Sequence, residues 1–195
     1  MPILGTVASQ VPANLPTTSF FSIATSTVSS GGTSAISFSS IPSTYKHLQV
    51  RAFARGTATG NADYRESLRM RVNGDTGSNY TLHRLWGDGV AVTGVNVAGK
   101  TEYETAGMVQ DGDGLANAFG YAVVEILDYA STNKYKTFRS LTGFDNNTTG
   151  TSQKQGGILL TSCVWMNTNA ISSLTMYCSA NIAQYSHFAL YGIKG

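Results

Sequence analysis

From residue 20 onward, apolar side chains recur at every second position in short runs separated by turn-forming residues, which is the period of a half-buried β-strand. Leu48, Val50, Ala52 and Ala54 alternate with Gln49, Arg51, Phe53 and Arg55, so one face turns to a core and two guanidinium groups share the other. Leu68, Met70 and Val72 repeat the pattern against Arg69 and Arg71. Phe21 to Ile23 and Ala35 to Phe38 flank Ser29-Ser-Gly-Gly-Thr33, where the paired glycines predict a hairpin turn. Further strands are predicted at 80–86, 101–109, 119–127, 135–141, 158–165, 171–178 and 185–193. Breaks rich in Gly, Asn, Asp and Ser fall at 73–79, 87–89, 110–114, 129–133, 145–157 and 167–169. The last strand runs to Ile193, which predicts a C-terminus held in a sheet.

About ten strands and no run of helical period predict an all-β protein, a two-sheet antiparallel β-sandwich with Greek-key connections of the jelly-roll kind. An immunoglobulin-type sandwich fits less well, being shorter and carrying a different cysteine spacing. The chain divides into a single sandwich domain over 20–195 and an extended N-terminal arm over 1–19. In the arm, Ile3, Leu4 and Val7 form an apolar head, and Val11, Pro12, Leu15 and Pro16 follow, two prolines that oppose both helix and central strand. An apolar head on a stiffened tether suits docking on a neighbouring subunit, and these seven residues are the candidate assembly contacts.

Composition narrows the partners. A chain of 195 residues suits one core. Only 12% of it is charged while 42% is hydrophobic, so Ser, Thr and Gly, a third of all residues, must cover the surface. Thirteen basic and 11 acidic residues leave a formal charge of +2, too balanced for a nucleic-acid binder. No apolar run reaches the ~20 residues that span a bilayer, and the opening residues do not resemble a signal peptide, so neither nucleic acid nor membrane is an expected partner and synthesis in a cytosol is expected. Cys163 and Cys178, the only cysteines, read as small buried hydrophobes kept reduced rather than as a bridge.

Residues in catalytic or metal-binding patterns are few. Glu102 and Glu104 have the spacing that puts two carboxylates on one strand face, as paired-carboxylate hydrolysis requires, but without acidic and aromatic companions they read as the solvent face of an edge strand. Asp111-Gly-Asp113-Gly resembles the start of a calcium loop, yet Ala122 stands where the bidentate Glu belongs. His47, His83 and His187 lie apart with no second ligand at metal spacing, and read as packed or interface residues. Nucleophile elbows, phosphate loops and dinucleotide fingerprints are missing, and the three Asn-x-Thr sequons read as chance matches. No enzyme activity and no cofactor are expected. Of ten Tyr and two Trp, those left exposed suit a protein interface first and sugar contact second. Candidate sugar-binding residues are Asn73, Asp75, Asn79, Tyr80, Asp145 and Asn146, in or beside the loops 73–79 and 145–157, with 110–117 as a third candidate loop.

Four runs carry a resemblance: Ile41-Pro-Ser-Thr-Tyr-Lys-His-Leu-Gln-Val-Arg51; Val72-Asn-Gly-Asp-Thr-Gly-Ser-Asn-Tyr80 with His83 and Gly87-Asp-Gly89; Leu127-Asp-Tyr-Ala-Ser-Thr-Asn-Lys-Tyr-Lys-Thr137; and Gln184-Tyr-Ser-His-Phe-Ala-Leu-Tyr-Gly-Ile-Lys194. Together with the opening Pro2-Ile-Leu-Gly-Thr-Val-Ala-Ser9, they resemble tailed-phage virion structural proteins of the decoration (cement) or fibre-knob type. The resemblance implies a virion component at the outer surface and no catalytic residues. Expected partners are copies of the chain, as a trimer at a local three-fold position, and the major capsid protein. The alternative is a receptor-binding head or adaptor of a tail fibre that recognises a host surface glycan.

Overall fold

The computed structural model describes residues 19–147 and 156–195. Ile3, Leu4, Val7, Val11, Pro12, Leu15 and Pro16, and with them the predicted arm, lie outside the described residues. Among those described there are twelve strands and no helix. In chain order they are β1 (Phe20–Thr27), β2 (Thr33–Phe38), β3 (His47–Ala54), β4 (Arg65–Val72), β5 (Tyr80–Gly87) and β6 (Val92–Lys100), then β7 (Tyr103–Gln110), β8 (Gly120–Leu127), β9 (Lys136–Asp145), β10 (Gly156–Trp165), β11 (Leu174–Ile182) and β12 (His187–Ile193).

The strands form two antiparallel sheets packed face to face. The larger has the order β1-β12-β3-β8-β9-β10-β5-β6 and the smaller β2-β11-β4-β7. From β2 onward the chain repeatedly crosses between them, which makes a jelly-roll-like sandwich in which the three-stranded meander β8-β9-β10 fills the larger sheet between the β7 and β11 crossings. The expected fold class is therefore found.

Alternation sets each inner face. In β4, Glu66, Leu68, Met70 and Val72 are buried while Arg65, Ser67, Arg69 and Arg71 stay partly exposed. Ala52, Ala122, Thr142, Leu159 and Trp86 stand side by side across five strands of the larger sheet and face inward together. Truncating a fully buried core side chain such as Leu68 would cost about 2–5 kcal/mol.

Three expectations need correction. Gly31 and Gly32 do take the positive φ a tight turn requires (90° and 75°). The turn nevertheless makes no hairpin, because β1 pairs with β12 and β2 with β11, so it carries the chain from one sheet to the other. Strand β6 is not among the expected strands: it is an exposed edge strand interrupted by glycines, and among the described residues it pairs with β5 alone. Glu102, expected on a solvent face, is buried just before β7.

Edge strand β7 is covered on both sides. Thr142 of the larger sheet accepts a hydrogen bond from the Met108 amide (2.9 Å) and donates one to its carbonyl (3.0 Å), which satisfies backbone that a sheet edge would leave open. The larger sheet reaches past this edge. Trp86, Phe144 and Leu159 close over Met108 as a second, smaller apolar cluster, while Tyr80 and Leu82, on the same face of β5 as Trp86, belong to the main core. Gly157 permits this, since a Cβ there would lie 2.5 Å from the Trp86 ring.

Candidate assembly face

The outer face of the larger sheet is apolar along two adjoining rows. Val123, Leu141, Leu160 and Leu85 are direct cross-strand neighbours on β8, β9, β10 and β5. Beside them run Phe53, Tyr121, Gly143, Ile158, Gly87 and Val92, again in register. Leu141 is 55% exposed, Leu85 53% and Ile158 64%, so these chains gain little from the fold that carries them. Six strands at the usual spacing make a strip about 24 Å long. Contiguous apolar surface of this extent on a folded protein marks a contact surface. The next row, Glu125, Arg139, Ser162 and His83, is polar and borders the strip on one side. The signal for this face is present in the sequence: Ile158-Leu159-Leu160 is apolar at three successive positions, and such a strand needs cover on both faces.

The expected sugar-binding residues do not share one surface. Asn73 accepts hydrogen bonds from the Ser172 and Ser173 amides (2.9 and 3.2 Å) and donates to the Ala170 carbonyl (2.8 Å). Asp75 accepts from the Gly77 amide, the Asn79 side chain and the Trp165 indole at 2.8, 2.9 and 2.6 Å. Tyr80 is wholly buried, and its hydroxyl accepts from the Val72 amide (3.2 Å). These four residues hold one turn together. Asp145 and Asn146 sit at the far end of β9 from Lys136, the residue that adjoins Trp165 and Tyr80, about 30 Å away at 3.3 Å per residue. Asn146 is buried and accepts from the Leu115 amide (3.1 Å), and Asp145 caps the Asn147 amide (2.6 Å).

The remaining candidates also have structural partners. Glu102 accepts hydrogen bonds from Arg69 (3.1 Å), Arg71 (3.0 Å) and the Tyr177 hydroxyl. Burial, reinforced by that carboxylate, pushes the Tyr177 hydroxyl up to about 12. Glu104 pairs with Lys100 (2.9 Å) and not with Glu102. In the loop that resembles a calcium site, the Arg55 guanidinium gathers the carbonyls of Gly112, Gly114, Leu115 and Ala118, oxygens that would otherwise face a cation. His47 accepts from the Asp128 amide (3.0 Å), His187 bonds Thr27 (2.8 Å), and His83 is exposed on the outer face. Cys163 and Cys178 are buried free thiols in opposite sheets, and burial pushes Cys163 up to about 12.

Fold and surface together define the class: an all-β sandwich with an apolar sheet face that none of the described residues covers. Comparison with protein-family models, curated proteins and solved structures finds no match for the chain.

Proposed function

We propose that this chain is a non-catalytic virion structural protein, a capsid decoration or cement protein that associates with its own copies and binds the major capsid protein. The observation that carries this reading is the strip of Leu85, Leu141, Leu160 and Ile158 on the outer face of the larger sheet. Its occupant is a second copy of the chain. An apolar strip is best covered by apolar surface, and around a closed three-fold each copy lays its strip against its neighbour without any further component. The strip forms the apolar centre of such a contact, with Glu125 and Arg139 in its polar rim. The resemblance of the runs around Ile41–Arg51, Val72–Tyr80 and Gln184–Lys194 to tailed-phage virion proteins supports the virion context. Many copies, each held by modest contacts, stabilise a shell by multivalency, and the expected closed order is a trimer.

Sedimentation of the full chain tests the contact. The wild type should run as a closed oligomer at micromolar concentration, and Leu141→Lys with Leu160→Lys as a folded monomer with unchanged circular dichroism. A monomeric wild type would overturn the reading. On particles, the protein should be present at hundreds of copies spread over the shell; a few copies confined to the tail would contradict the capsid assignment.

A further inference from the structure

Where the larger sheet reaches past β7, a pocket of about 340 Å³ opens between β4 and the β5–β6 ribbon. Two guanidinium groups, Arg65 and Arg84, share its lining with Trp86, Ser67 and Thr93. Arg65 lies over the Trp86 ring, 4.6 Å from its centroid, and pairs with Asp63 through Nη2 (3.1 Å). Its Nη1 is buried with no acceptor among the described residues, and so is Nε1 of Trp86, a residue only 6% exposed. The Arg84 guanidinium has no ion-pair or hydrogen-bond partner among the described residues. Burial holds the Arg65 guanidinium below its ordinary pKa; Asp63 opposes this, Arg84 adds to it and Asp88 opposes it. Two neighbouring guanidinium groups on one pocket wall repel each other, and an oxyanion placed between them compensates both charges.

The rim of the pocket indicates what carries the anion. Thr93 and Val95 of β6 pair with Trp86 and Arg84 and line the same pocket. Among the described residues β6 is the last strand of its sheet, with no strand paired along its other side. An extended segment added there would place alternate side chains above the pocket. A sugar is less well served, because Arg65 already covers the Trp86 ring face on which it would stack.

We propose that this pocket receives the carboxylate of an Asp or Glu side chain, carried by an extended segment of a partner protein that pairs with β6. The proposal goes beyond the assembly role of the outer face and stands without it.

The chain has two tryptophans, so its indole N–H signals report the site directly. Trp165 donates to Asp75 (2.6 Å) and serves as the internal reference. The ¹⁵N-labelled full chain is titrated with the heptapeptide acetyl-Thr-Val-Thr-Glu-Thr-Val-Thr-amide, with its Gln counterpart, and with glucuronate. The Trp86 signal should move saturably with the Glu peptide while Trp165 stays in place. The Gln peptide should bind roughly tenfold more weakly or worse, and Arg84→Gln should weaken the Glu peptide by a similar factor with the thermal midpoint unchanged. Equal binding of the two peptides, glucuronate binding as tightly as the Glu peptide, or no movement at millimolar peptide would each overturn the proposal. Oligomeric state is read separately. A monomer that binds the peptide contradicts only the outer-face contact, and an oligomer that does not bind it contradicts only the pocket.

Discussion

The Arg65 guanidinium stacks on the Trp86 indole at 4.6 Å, although Arg65 belongs to the face of β4 opposite its core-directed neighbours Glu66 and Leu68. The contact exists because the larger sheet is twice as wide as the smaller one, with eight strands against four, and curls around the β7 edge. A surface that would otherwise be solvent-exposed becomes the wall of a pocket.

Removing that stack tests the geometry. Arg65→Ala should lower stability by about 1–2 kcal/mol, the size of a partly desolvated cation–π contact, and shift tryptophan emission to longer wavelength as the Trp86 ring is uncovered. Urea unfolding followed by fluorescence measures both. An unchanged midpoint and spectrum would show that Arg65 contributes nothing to the cover of the ring.

The loop from Gly112 to Ala118 is organised by one cation. Arg55→Ala leaves four carbonyls without their shared donor and should cost on the order of 2 kcal/mol. Hydrogen exchange should speed up at least tenfold at amides of this loop and remain unchanged in β9 and β10. A uniform loss of protection across the sandwich would instead mean that Arg55 supports the core.

Acid should loosen the 73–79 turn through Asp75. Burial raises its pKa, but hydrogen bonds from Asn79, Trp165 and Gly77 outweigh that and hold it below the ordinary 3.8. The unfolded chain therefore binds this proton more readily. The stabilisation is present above the ordinary value and is lost as pH falls through the folded-state value. Asp75→Asn should flatten the pH dependence of stability below about pH 4, followed by urea titration. Parallel curves for wild type and variant would remove Asp75 as the source.

The two thiols should be silent in the folded protein. Burial raises the Cys163 pKa to about 12 and raises that of Cys178 as well, so the thiolate that attacks a disulfide reagent is scarce and shielded. An aromatic disulfide reagent should titrate no thiol under native conditions and two in denaturant. Rapid native reaction of either cysteine would contradict the packing described.

Much of the strand map is legible because burial and period act on neighbouring residues. The alternation of Leu68, Met70 and Val72 with Arg69 and Arg71 predicts both β4 and its inner face. Strand β6 escapes the same test because its residues are exposed almost throughout and Gly94 and Gly99 dilute the pattern, so no burial leaves its mark on the sequence. The Gly31-Gly32 turn is equally instructive. Its positive φ values follow from composition, but whether the strands on either side pair with each other depends on β11 and β12, far along the chain.

The candidate sites show the same division. Asn73, Asp75 and Asn79 have the chemistry of a polar recognition loop, yet Asn73 is engaged by Ala170 and Ser172 and Asp75 by Trp165, all ninety or more residues away in sequence, while Asn79 donates to Asp75 within the turn. The Leu141, Leu160 and Leu85 row is completed by register: the Ile158-Leu159-Leu160 run marks β10 as apolar on both faces, but only strand pairing brings Leu141 and Leu85 beside Leu160.

The order of apolar and polar residues along the chain was enough to specify an all-β body, its turns and most of its inward-facing positions, since those depend on contacts within a few residues. Which strands became neighbours, and hence the outer leucine row, the curl around β7 and the meeting of Arg65, Arg84 and Trp86, was decided by the tertiary structure. Cross-strand register and sheet curvature are set by packing between distant segments, and no local period encodes them.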